Sequence, residues 1–178
     1  NQAHAEYLEQ MAGKFFDLLQ KYHGLGERER LLLRLAAILH DCGKFISMSA
    51  PGECAYQIIM STEILGISHM EREMVASIVR YNTMELPNFN EFDGKLGNDE
   101  YLIVMKLAAI LRVCNALDRS HRQKFADMKL TIKDSNIVIT TAYPDNITLE
   151  KKTLQDKQDF FEEVYGLGFE IKQKKKKQ

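Results

Sequence analysis

Cysteine is scarce. The 178 residues hold three, Cys42, Cys54 and Cys114, and no CxxC spacing occurs among them. An odd number without paired spacing argues against a disulfide framework and a zinc ribbon, and such usage suits a reducing cytoplasm. Long hydrophobic runs are missing too. No stretch approaches the roughly 20 apolar residues of a membrane helix, and no charged-then-apolar start reads as a signal peptide. Nor does one sign of charge dominate, since 24 Lys and Arg stand against 25 Asp and Glu, a formal charge of −1. That balance excludes the basic footprint that gathers nucleic acid nonspecifically, so a polyanion site must come from local clustering. Internal repeats are absent, and so is a glycine-rich phosphate loop following a strand.

What is present is a soluble, globular composition, 45% apolar and 28% charged. The length suits one ordinary domain, or one domain with a small partner. The chain opens at Asn1, without Met, inside a helical pattern, and the expectation is a piece of something longer.

Two regimes follow one another. Up to residue 125 the pattern is helical. Tyr7, Leu8, Met11, Phe15, Leu18 and Leu19 make an amphipathic stripe over His4–Tyr22 that His23-Gly24-Leu25-Gly26 stops. Glu27–His40 is a second helix, apolar on nearly every side from Leu31 to Leu39, which predicts a central place in the core, with Gly43 as its terminating glycine. A third helix is expected over Cys54–Ile64 after a Pro51-Gly52 turn, and a fourth behind the capping box Ser68-His69-Met70-Glu71. Thr83–Gly97, with Pro87, Gly94 and Gly97, reads as a loop. Asn98 is the expected cap of a long helix reaching Arg122. From Met128 the period becomes two: Leu130 and Ile132, then Ile137 and Ile139, flank Asp134-Ser135-Asn136 as a β-hairpin. Leu149–Tyr165 is helical again and stops at Gly166. Leu167, Phe169 and Ile171 form a last strand before a lysine tail from Lys172 to Lys177. The expected architecture is mainly α: a helical domain over 1–125, then a small α+β domain over 126–178.

His40-Asp41 is the sharpest chemical feature. An imidazole and a carboxylate side by side at a helix end can reach one cation, and further ligands must then come from other helices. His4 is the natural third donor, and Asn115 and Asp118, three apart on the long helix, share a face. The plainer reading is a hydrogen-bonded pair that ends the core helix. Met11, Met60, Met74 and Met105 are core filler, and Cys42 is a small buried apolar residue.

Leu35-Ala36-Ala37-Ile38-Leu39-His40-Asp41-Cys42-Gly43-Lys44 resembles the signature of HD-domain phosphohydrolases. Four further stretches occur in order. They are Ala55-Tyr56-Gln57-Ile58-Ile59, Val79-Arg80-Tyr81-Asn82, Leu107 through Asp118-Arg119-Ser120-His121-Arg122, and Asp159-Phe160-Phe161-Glu162-Glu163-Val164-Tyr165-Gly166. Together they resemble the C-terminal half of the exopolyphosphatase / guanosine pentaphosphate phosphatase family over almost the whole chain. The resemblance implies an HD-like bundle followed by a small α+β domain. It also implies a parent protein whose N-terminal, actin-like catalytic domains remove the terminal phosphate of polyphosphate or pppGpp. This half would then bind the long polyanion and support a homodimer, in the cytoplasm, with no membrane or nucleic-acid partner.

The HD resemblance further implies a divalent cation, Mg or Mn, at His4, His40, Asp41 and Asp118. The match is degraded, because Glu53 and Asn82 stand where the family usually has His, and the late Asp falls on Asn115. Neutral amides are poor ligands for such metals, so a vestigial site is expected. The substrate-binding candidates are Lys44, Arg80, Arg112, Arg119 and Arg122, whose guanidiniums can fork onto phosphate oxygens. Two other readings stand beside this one: an autonomous metal-dependent HD phosphohydrolase, and a purely structural dimerisation module.

Overall fold

The computed structural model describes residues 1–92 and 95–174. Gly94 and the tail lysines from 175 on lie outside the described residues. Seven α-helices are found among the described residues: α1 (Gln2–Leu18), α2 (Gln20–His23), α3 (Glu27–Leu39), α4 (Pro51–Ser61), α5 (His69–Arg80), α6 (Asn98–Leu117) and α7 (Thr148–Tyr165). Three strands, β1 (Lys129–Lys133), β2 (Asn136–Thr141) and β3 (Gly168–Gln173), make a small sheet in the order β1-β2-β3. The protein is mainly helical, with its sheet near the C-terminus. No helix among the described residues is long and apolar enough to cross a membrane.

The expected first helix is α1 and α2, separated only at Leu19 and ended by Gly24 in the left-handed region at φ 66°. The Ser68/Glu71 capping box opens α5 as expected: Ser68 Oγ accepts from Glu71 N at 3.1 Å, and Glu71 Oε2 accepts from Ser68 N at 2.7 Å. The sequence pattern places the next two elements less well. α4 starts three residues early because Pro51 sits in its first turn, where its missing N–H costs nothing. α6 is capped by Gly97, with Asn98 already helical, and it stops at Leu117, short of Arg122.

The central helix is α6, whose Leu107, Ala108, Ile110, Leu111, Val113 and Leu117 are all buried. α3 is not central. It buries Leu32, Leu33, Ala36 and Ala37 against α1 and α5 but leaves Ile38 44% exposed, so its apolar run wraps onto the surface. Gly43 does not end α3 with a left-handed cap either. It lies in a 3₁₀ turn (Cys42–Phe45) pressed against the start of α4, where a Cβ would collide with the Pro51 carbonyl and come 2.6 Å from Ala55 N. Close backbone approach, not chirality, requires glycine there.

The hairpin register pairs Leu130 with Ile139 and Ile132 with Ile137. β3 then pairs parallel to β2, Ile137 beside Phe169 and Ile139 beside Ile171, after the α7 crossover. Lys172 and Gln173 still belong to this strand, so the lysine tail begins inside the sheet. The buried cluster runs from Leu8 and Phe15 of α1 through α6 to Phe161 of α7 and Ile137 of β2.

Candidate functional site

The ends of α3 and α6 bring His40, Asp41 and Asp118 against the first turn of α1, where Asn1 caps the helix and places His4. His4 and Asp118 are almost completely buried, at 2% and 1% exposure. His4 Nδ1 meets Asp118 Oδ2 at 2.6 Å, and Asp118 Oδ1 accepts from Gln123 N at 2.8 Å. His40 Nδ1 meets the Ala37 carbonyl oxygen at 2.6 Å. A carboxylate and a carbonyl only accept, so these partners assign the proton of each ring to Nδ1. Both Nε2 atoms are left as bare lone pairs, yet they face each other at 3.2 Å. Asp41 Oδ1, a third acceptor, lies 3.2 Å from His40 Nε2.

Asp41 Oδ1 has one donor, Lys44 Nζ at 2.6 Å, but the two Nε2 lone pairs have none between them and repel one another unless a proton or a cation sits there. Two atoms bound to one ion at about 2.1 Å lie roughly 3.0–3.4 Å apart, which is the spacing seen here. The donor set therefore fits a divalent cation. His4 Nε2, His40 Nε2 and Asp41 Oδ1 are its candidate ligands, and Asp118 orients His4 from behind, as carboxylates commonly do for ligating histidines. Burial holds the His40 imidazole below its ordinary pKa, against the nearby Asp41 charge. Burial also pushes the Asp41 carboxyl up, but the hydrogen bond from Lys44, with His40 nearby, outweighs it and leaves the group below the usual carboxylate range.

Sequence reasoning missed one member of this cluster. His121, in the turn after α6, stacks on His4 with ring centroids 3.8 Å apart and 13° between planes. Atoms of His4, Asp41 and His121 all lie within 4.8 Å of one another. The His121 backbone is left-handed at φ 56°, a conformation that costs a non-glycine residue energy and gathers at functional sites. The signal was a histidine three residues beyond Asp118 just past a helix end, in a turn whose shape periodicity does not reveal. The structure also reassigns the late aspartate. Asp118 joins the cluster, while Asn115 faces another cleft.

A model of the family described as Ppx/GppA phosphatase, domain III, matches residues 1–159. The chain belongs to that family. No curated protein matches it closely.

Within this domain III the five basic candidates do not share one surface. Lys44 Nζ pairs with Asp41 at 2.6 Å, beside the histidine cluster. Arg80 pairs with Glu53 at 2.8 Å and lies over the Tyr56 ring, so Glu53 is engaged away from the histidines. Arg112 lies over the Phe160 ring and donates to the carbonyls of Tyr81, at 2.7 Å, and Met84, which fixes the chain leaving α5. Burial pushes its pKa down. Arg112 and Arg119 line a cleft of about 350 Å³ between α6 and α7, together with Asn82, Asn115, Thr153 and Lys157. Arg122 belongs to a different depression, beside Lys124 and Tyr143.

Proposed function

We propose that this domain III serves an exopolyphosphatase-like phosphohydrolase by holding the phosphate chain, while the parent's N-terminal domains release the terminal phosphate of polyphosphate or pppGpp. The observation that carries the reading is the approach of His4 Nε2 and His40 Nε2 to 3.2 Å with no donor between them, beside Asp41 Oδ1, whose one donor is Lys44. A divalent cation, Mg or Mn, bound there would offset the charge of phosphate oxygens and acidify coordinated water. The chain's own residues do the rest. Asp118 and the Ala37 carbonyl keep both imidazoles in the ligating tautomer, Lys44 restrains Asp41, and His121 covers the cluster from the solvent side. Self-association of the parent is part of this reading. Phe45, Ile46 and Met48, 93%, 67% and 77% exposed on the turn after His40-Asp41, offer it an apolar surface.

Calorimetric titration with Mn²⁺ tests the centre. The wild type is expected to bind one ion, and Asp41→Asn and His40→Ala to weaken it by at least roughly tenfold. Polyphosphate affinity should rise with Mn²⁺ in the wild type alone. A Mn²⁺ affinity indifferent to both substitutions rejects the centre.

The same cluster favours a second reading, an autonomous HD phosphohydrolase, because His4, His40, Asp41 and Asp118 are gathered in one place. Phosphate release from phosphate esters by this chain with Mn²⁺, abolished by His40→Ala, would select it. Activity that survives the substitution would sink it.

A further inference from the structure

Asn82 follows the end of α5 and is 4% exposed. Neither its Nδ2 nor its Oδ1 has a hydrogen-bond partner among the described residues. Buried amides are almost always paired, because stripping water from an N–H or C=O without replacing it is unfavourable. This orphaned amide lines the α6–α7 cleft. Around it stand the Thr83 hydroxyl, a second amide, Asn115, and the cations Arg119 and Lys157, with Asp156 the one acid in the lining; Thr153 also lines the cleft, but its hydroxyl donates to the Leu149 carbonyl at 2.8 Å. Arg119 and Lys157 are exposed and make no ion pair among the described residues. The cleft is therefore rich in donors and positive on balance, within a chain whose total charge is −1.

We propose that this cleft binds a phosphoryl group, with Asn82 and the Thr83 hydroxyl as hydrogen-bonding partners and Arg119 and Lys157 as counter-charges. The choice of phosphoryl over other anions comes from Asn82 itself. Its Nδ2 needs an acceptor and its Oδ1 needs a donor. Near neutral pH a terminal phosphoryl group has its second pKa at about 6, so it offers ionised oxygens and, part of the time, a P–OH. Sulfate and carboxylates offer acceptors alone. Asn115 lies in the last turn of α6 and Asp118 is its C-cap residue, so the cleft and the histidine cluster adjoin the same helix end. The inference rests on the phosphate-chain reading for the class of ligand only; the cleft contains none of the cation ligands.

Calorimetry on the full chain in EDTA separates the two sites, because the cation centre is then silent. Inorganic phosphate and tripolyphosphate are the probes, and sulfate is the comparison. Binding of at least one phosphate probe is expected, tighter than sulfate, with a shift of the Asn82 side-chain amide resonance. Arg119→Ala and Lys157→Ala are surface changes, and each should weaken binding roughly tenfold. Lys14→Ala, on an exposed position outside the cleft, should not. Phosphate alone binding would identify a free-ion site, and tripolyphosphate binding more tightly would identify a chain terminus. Either supports the proposal. Sulfate binding as well as phosphate, indifference to both cleft substitutions, or no binding of either phosphate probe overturns it. Mn²⁺ binding that persists beside such a failure would leave the cation centre standing and reject the cleft alone.

Discussion

His23 illustrates how one buried polar side chain sets a pH response. Its Nε2 faces the Phe16 carbonyl at 2.9 Å and its Nδ1 accepts from Leu25 N, also at 2.9 Å. The neutral ring therefore bridges the end of α1 and the turn after α2 with both nitrogens used. Protonation at Nδ1 would remove the acceptor and bury a charge. Burial accordingly holds this imidazole below the ordinary value of 6.5, against the opposing help of the Phe16 carbonyl. Between the folded and unfolded values the unfolded chain carries more protons, so stability is fully present above the unfolded pKa and is lost as pH falls through the folded one. Losing the Leu25 hydrogen bond costs about 1 kcal/mol. Urea denaturation across mildly acidic pH should show wild-type stability falling more steeply than that of His23→Gln, which cannot titrate there. Parallel profiles would refute the assignment. Arg112 meets the same burial but keeps its positive charge. Its guanidinium tolerates burial because two carbonyls and the Phe160 face take the place of water.

The hairpin is the element where sequence and backbone disagree in a usable way. Asp134 and Ser135, between β1 and β2, both adopt positive φ, 51° and 59°. A two-residue turn of that kind matches the right-handed twist of the strands and favours Asn-Gly, because glycine meets no Cβ clash there. Ser135 bears the left-handed conformation at a cost of roughly 1–2 kcal/mol. Ser135→Gly should thus raise stability by about 1 kcal/mol, offset in part by the greater freedom of glycine in the unfolded chain, as read from the denaturation midpoint. A fall in the midpoint would mean that the serine side chain contributes more than its backbone costs. The elements themselves were legible in the sequence, because a 3.6 or 2.0 period and the Ser68/Glu71 box are local signals. Three features were not. Pairing of β3 with β2, the surface exposure of Ile38 and the close approach at Gly43 each depend on a partner distant in sequence. The histidine–aspartate cluster was half legible. His4, His40, Asp41 and Asp118 could be named from residue type and helix ends, while His121 needed the left-handed turn after α6 to bring it over His4. Asn82 read only as a lost histidine, and its missing partners emerge only once α6 and α7 are in place.

At the scale of the molecule, the change of pattern near residue 125 does not coincide with a gap in the core. Phe125 is fully buried, and its backbone N donates to Tyr7 Oη of α1 at 3.1 Å. Lys124 and Glu150 form a buried ion pair at 3.0 Å between the segment after α6 and the start of α7. Tyr165 Oη, at the far end of α7, donates to the Lys106 carbonyl in α6 at 2.8 Å. Since α7 packs along α6, removing it would expose the central helix of the bundle, and the three strands alone are too few to bury their apolar face without a helix on it. Neither part is expected to keep its core when the other unfolds. Urea unfolding should therefore be a single transition, with the same midpoint by helical circular dichroism and by a probe placed in the sheet, such as hydrogen exchange of the Ile137 and Ile139 amides. Glu150→Ala leaves Lys124 as a buried cation without its carboxylate and should lower stability by about 3–5 kcal/mol, moving that one midpoint down for both probes together. A sheet probe that melts first, with the helical signal intact, would instead make residues 125 and 126 a true folding boundary.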